Sequence, residues 1–179
     1  MRRVSVVGNS GSGKSTFGRE LADRLRVPYV ELDSIFHQPE WAELPRDEFR
    51  ARVAEVVAGR GWVVDGNYSA VRDLVWAAAD SVVWVDPPRR TVMRRVIART
   101  VARTMTRREL WNGNREPWTN LLSIDPQRSI VAWSWTRHAV YRERYGRAQE
   151  DPAWSGVEFI RVRRPREARL LLAAAAPTD

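Results

Sequence analysis

Cysteine is missing from the chain, and lysine and histidine nearly so. Among 179 residues there is no cysteine, there are two histidines (His37 and His138), and the 30 Lys+Arg residues comprise one lysine, Lys14, and 30 − 1 = 29 arginines. Without cysteine there is no disulfide, no thiolate metal site and no cysteine nucleophile, which fits a reducing compartment. Two histidines so far apart in sequence argue against a zinc centre. No apolar run approaches the roughly 18–20 residues that cross a bilayer, and the amino terminus leads into a strand pattern instead of a basic, apolar signal peptide. The expectation is therefore a cytoplasmic protein with no membrane partner. The length suits one domain spanning 1–179, since domains commonly run to roughly 100–200 residues.

The most informative stretch that is present comes first. Val4-Ser5-Val6-Val7 runs into Gly8-Asn9-Ser10-Gly11-Ser12-Gly13-Lys14-Ser15, which fills every fixed position of the G-x-x-x-x-G-K-[ST] phosphate-binding loop. The context agrees, because a β-branched strand enters and a helix leaves: from Thr16 to Arg26, Phe17, Leu21 and Leu25 share one helical face. Glycines let bare N–H groups curl around an anion, and the following helix aims its positive dipole end at the same point. Residues 8–15 and Thr16 are thus the candidate nucleotide-binding set, with Lys14 reaching the β/γ-phosphates and Ser15 holding Mg²⁺. That the sole lysine sits here sharpens the reading, because a site walled by amides around a phosphate distinguishes a compact ammonium from a guanidinium fork.

The formal net charge of +8 raises the question of nucleic acid. Eight of the twenty residues from 89 to 108 are arginine, and Arg95, Arg99, Arg103 and Arg107 recur at i, i+4 along one helical face. That stripe reads as a clamp on nucleotide phosphates, as a nucleic-acid surface or as a solvated face; the loop at the front favours the first.

Further along, residues 27–33 read as a second strand delivering Asp33 at its carboxyl end, where open α/β sheets bind ligands. An irregular flap follows, with Phe36, His37 and Trp41 near its base, and then an amphipathic helix carrying Phe49, Val53, Val56 and Val57; together they form an insertion over about 34–60. Trp62-Val63-Val64-Asp65 is a third strand ending in a second candidate Mg²⁺-organising acid, Asp65. Ser81 to Val85 is a fourth strand, apolar throughout, hence buried on both faces of a parallel sheet. Pro87 and Pro88 open the arginine-rich helix, and a polar segment with Trp111 and Trp118 follows, suited to a water-excluding lid over about 107–126. A helix over about 127–145, a fifth strand at 157–162 and a closing helix from Pro165 complete a doubly wound α/β fold.

With these residues assembled, the chain resembles the adenylate kinase-related branch of P-loop kinases. More narrowly, it is similar to bacterial DNA topology modulation (FlaR-like) proteins, through residues 8–15, Leu32-Asp33 with Trp41, Trp62 to Tyr68, and Arg108 to Glu116. The resemblance implies a five-stranded parallel sheet, an acceptor region between strands 2 and 3, and a lid after strand 4. It implies that Arg95 and Arg99 contact the nucleotide, that lid arginines map onto Arg107, Arg108 and Arg115, and that a later arginine is Arg137 or Arg142. The chain departs from the nucleotide-monophosphate kinases after Asp65-Gly66: Asn67-Tyr68-Ser69 stands where their acceptor-gripping arginine would lie. Asp33, placed like the substrate-binding acid of shikimate, gluconate and dephospho-coenzyme A kinases, is a general base or hydroxyl anchor, or else a cap on the following turn.

The expectation is an ATP- and Mg²⁺-dependent phosphotransferase acting on a small-molecule acceptor, with Lys14, Asp33, Arg99, Arg108 and Arg115 as catalytic residues. The alternatives are a nucleic-acid-associated NTPase and a nucleotide-binding regulator without turnover.

Overall fold

Five parallel strands in the order β2-β3-β1-β4-β5 form the centre of the molecule in a computed structural model that describes residues 1–106, 109, 111–114 and 129–177. The strands are β1 Arg3–Gly8, β2 Tyr29–Glu31, β3 Trp62–Asp65, β4 Ser81–Val85 and β5 Glu158–Val162. Those calling for long apolar runs lie inside: every residue of β3 and of β4 is buried.

Alternation along each strand divides the core in two. Val4, Val6, Val63, Val83 and Val85 point to one face, where Phe17, Leu21 and Leu25 of α1 (Lys14–Leu25) and Leu172 of α7 (Pro165–Ala174) cover them. Val7, Trp62, Val64, Val82 and Trp84 point to the other, under Phe49 and Val53 of α3 (Arg46–Val57), Val75 and Trp76 of α4 (Arg72–Ala78), and Tyr141 and Tyr145 of α6 (Ile130–Glu150). The arginine-rich helix is α5 (Arg89–Thr106), entered through Pro87 and Pro88. Among the described residues no helix is long and apolar enough to cross a membrane.

The register brings three strand ends together, with Glu31 opposite Asp65 and Val6 opposite Asp65 on the other side. One expectation is corrected here. Strand β2 stops at Glu31, and Asp33 lies in the first turn of a short helix, α2 (Leu32–Phe36), instead of at a strand end. The cause is Leu32, which is 2% exposed and packs so closely on Gly66 that a Cβ there would meet Leu32 Cβ at 2.8 Å, turning the chain inward. The flap also has more order than expected: besides α2 it contains a 3₁₀ turn at Pro39–Trp41 and a bridge between His37 and Glu43.

Candidate active site

The glycine loop hangs from β1 and closes directly on α1. Gly11 adopts φ +79, and a Cβ on it would fall 2.4 Å from Val96 Cγ2 and 2.8 Å from the Val92 carbonyl, so only glycine fits. Gly8 is equally confined, with the Val85 carbonyl 2.5 Å from any Cβ. Asn67, from the departure after Asp65-Gly66, braces this end of the loop. Its Oδ1 accepts from the Gly8 amide (3.1 Å), its Nδ2 donates to the Gly8 carbonyl (2.6 Å), and Tyr145 donates its hydroxyl to the same Oδ1 (2.8 Å). The Ser10 and Ser12 amides turn inward onto Asn9, to its Oδ1 and its carbonyl respectively. Ser12 is 2% exposed, and its hydroxyl has no hydrogen-bond partner among the described residues.

Lys14 projects from the first residue of α1 towards Asp65, with Nζ 2.9 Å from Oδ1. Asp65 is fully buried, and its Oδ2 accepts from the Tyr29 hydroxyl at 2.9 Å. Burial alone would lower the Lys14 pKa, but the charges of Asp65, Asp33 and Glu31 outweigh it and the net direction is up. Ser15 donates to Glu31 Oε1 at 3.4 Å, while Arg19 holds Glu31 Oε2 at 2.9 Å. Glu31 was not singled out by sequence. The usable signal is its place two residues before Asp33, at the end of a strand paired with β3.

Asp33 follows in the first turn of α2, two residues beyond Glu31. Its Oδ1 accepts from the Tyr68 hydroxyl at 2.6 Å, and His37 Nε2 lies 3.4 Å from that hydroxyl. Burial first, and the Asp33 carboxylate second, drive the Tyr68 phenol far above its ordinary range, so it stays a donor. Around these groups the rings of Phe36, Tyr68, His37, Trp41 and Trp111 pack in sequence, His37 and Trp111 stacked at 26° with centroids 6.0 Å apart. The described part of the expected lid is fastened to the acceptor flap. Asn112 donates to the Ser34 and His37 carbonyls, Asn114 donates to the Gln38 carbonyl (2.8 Å), and Asn114 Oδ1 accepts from the Trp41 amide (2.8 Å).

The arginine stripe divides. Arg95 donates to the Ser12 carbonyl (2.9 Å) and Arg99 to the Ser10 hydroxyl (2.6 Å), so both arrive at the loop. Arg107, Arg108 and Arg115 lie outside the described residues, as do Trp118 and most of the expected lid. Arg142, one of the two residues offered for the later arginine, is engaged elsewhere: with Arg161 it holds the buried carboxylate of Asp86. Arg137 is exposed on α6.

Among known proteins, the shikimate kinase family profile matches residues 10–124. Shikimate kinase from Sulfurihydrogenibium sp. is 27% identical over 111 residues, covering 54% of this chain and 67% of that protein. The enzyme from Pseudomonas syringae pv. syringae is 35% identical over 82 residues, covering 40% of this chain and 48% of that protein. The aligned stretch therefore spans about half to two thirds of these relatives' own length. A solved shikimate kinase from Acinetobacter baumannii, in complex with shikimate, superposes with a TM-score of 0.55 over 97% of this chain and 89% of that one, at 17% identity. That likeness carries the fold of the whole chain, including β5 and α7 beyond the matched stretch.

Proposed function

The chain belongs to the shikimate kinase family of P-loop kinases, and on that premise we propose that it transfers the γ-phosphoryl group of ATP to a hydroxyl of a small-molecule acceptor. The observation that carries the reading is a carboxylate held at the strand ends that carry Lys14's partner: Asp33 lies two residues beyond Glu31, which stands opposite Asp65 in the sheet, and Tyr68 donates to one of its oxygens at 2.6 Å. A phosphate acceptor is already an anion and needs no base, whereas a hydroxyl acceptor benefits from one within reach.

The residues present fit Mg-ATP. The loop needs glycine at positions 8 and 11, a largely covered ammonium stands beside it, and the buried Ser12 hydroxyl has no partner among the described residues, as expected of a donor for phosphate oxygen. Ser15 would hold Mg²⁺, with Asp65 and Glu31 as the nearby carboxylates. Bound Mg-ATP supplies the transferable phosphoryl group, and the protein supplies position and charge. Lys14, paired here with Asp65, would supply the compact cation that the phosphates require. Tyr68 fixes Asp33 through Oδ1; the other carboxylate oxygen would take the acceptor's hydroxyl proton as the acceptor oxygen bonds to the γ-phosphorus, the bond from phosphorus to the β–γ bridging oxygen breaks and ADP leaves. Arg95 and Arg99 hold the loop, and Arg108 and Arg115, outside the described residues, would add positive charge for the transferring phosphoryl group.

ADP release from Mg-ATP, measured with shikimate, gluconate and nucleoside monophosphates in turn, tests this. Turnover with a hydroxy acid is expected, and Asp33→Asn should abolish it while leaving ATP affinity within a few-fold. Turnover with nucleoside monophosphates alone, insensitive to Asp33→Asn, would overturn it.

A second reading is favoured by the charge of +8 and by Arg90 and Arg94, which stay exposed on α5: a nucleic-acid-associated NTPase of the DNA topology modulation kind. It predicts DNA-stimulated ATP hydrolysis and DNA retention that falls steeply with salt.

A further inference from the structure

Helix α6 is hydrogen-bonded to the phosphate loop through Ser134. Ser134 is fully buried on a helix whose next residue, Trp135, is 52% exposed. A helical serine or threonine ordinarily returns its hydroxyl to a carbonyl of the preceding turn, as Thr136 does to Ala132 and Trp133. Ser134 instead donates across the molecule to the Ser10 carbonyl at 3.0 Å. In return, the Ser134 carbonyl accepts from Asn9 Nδ2 at 2.7 Å. Asn9 is 5% exposed, so this reciprocal pair is shielded from water.

The pair completes a fourfold grip on two loop residues. Every polar atom of Ser10 is engaged: its amide by Asn9 Oδ1 (2.8 Å), its carbonyl by Ser134, and its hydroxyl by Arg99 (2.6 Å). Arg99 is on the helix that precedes the 107–128 stretch and Ser134 on the helix that follows it. The two stems therefore meet at Ser10, immediately before the glycine turn that must face an anion. Ser10 contributes no free amide of its own, so its position can only matter through the residues it carries.

We infer that Ser134 is a positioning residue of the nucleotide site: with Asn9 it sets the height of Ser10 and so aims the amides of Gly11 and of residues 13–15, the Ser12 amide being held by the Asn9 carbonyl, at the bound phosphates. This rests on the reading of residues 8–15 as a nucleotide loop. A loop aimed in advance loses less freedom on binding, so the bonds act on affinity as well as on stability.

Titration calorimetry with Mg-ATP and Mg-ADP, alongside melting curves of the nucleotide-free protein, separates the two roles. Ser134→Ala should weaken Mg-ATP about fivefold, the effect of one well-formed hydrogen bond. Ser134→Thr, which keeps the hydroxyl, should recover most of that loss. Asn9→Ala, which approaches the pair from the loop side and removes two bonds, should weaken binding further and serves if Ser134→Ala does not fold. A lower melting temperature with Mg-ATP affinity within twofold of wild type in both variants would make the pair a strut and overturn the inference alone. No Mg-ATP binding by the wild-type protein would overturn it together with the nucleotide-loop reading beneath it.

Discussion

Lys14 Nζ and Asp65 Oδ1 are 2.9 Å apart, and the carboxylate is wholly buried. The lysine is the counter-ion of a strand-end acid, and the proposed function gives it a second task as a phosphate ligand. Lys14→Ala should therefore abolish ATP-dependent transfer and also lower unfolding free energy by about 3 kcal/mol, because it strands a buried charge. Lys14→Ala combined with Asp65→Ala should regain much of the stability and none of the activity. Urea unfolding checks the first half and ADP release the second; a single variant as stable as wild type would remove the counter-ion role.

The same cluster predicts an alkaline limit. The Lys14 pKa is raised against the pull of burial, chiefly by Asp65, and burial raises all four tyrosines, Tyr29, Tyr68, Tyr141 and Tyr145. Groups with raised folded pKa values stabilise fully below their unfolded values, about 10 for tyrosine and about 10.4 for lysine, and that contribution is lost as pH climbs through the folded values. Above about pH 10 the unfolded chain sheds protons that the native state keeps. Stability should then fall by about 1 kcal/mol per group for each pH unit. Urea midpoints at pH 9, 10 and 11 measure this, and a flat series would contradict it.

Glycine substitutions should separate by location. Gly11→Ala puts a methyl into Val96 and the Val92 carbonyl at positive φ, so it should cost about 2–4 kcal/mol and remove Mg-ATP binding. Gly146→Ala, on α6 with nothing within 4 Å of the added Cβ, should stabilise by about 0.5–1 kcal/mol. Thermal melts and calorimetry on both proteins decide it, and equal effects would discard the steric account of the loop.

Asn114 ties the segment after α5 to the flap before α3 through two bonds to backbone groups, and the residue is 4% exposed. Asn114→Ala removes its bonds to the Trp41 amide and the Gln38 carbonyl. Amide hydrogen exchange across residues 38–43 should accelerate about tenfold or more, with α1 and the central strands unaffected. Exchange at the wild-type rate would mean that the ring stacking of Trp111 on His37 holds the flap without it.

Much of this was readable in the chain itself. The loop at residues 8–15, the strand–helix alternation and the buried fourth strand are written in local spacing, because backbone sterics and burial act on neighbours at fixed intervals. Asp33 and Asp65 could be placed near strand ends on the same grounds, although the turn that puts Asp33 into α2 depends on Leu32 packing against Gly66. The fold and the phosphate loop were thus determined by sequence. Tertiary structure alone decided that Asn67 braces Gly8 from 59 residues away, that Ser134 reaches Ser10 across 124, that Tyr68 holds Asp33, and that Glu31 stands beside Ser15. Such bonds join single polar side chains across long stretches of chain, so they follow no periodicity and exist only once the strands have paired and the helices have settled on them.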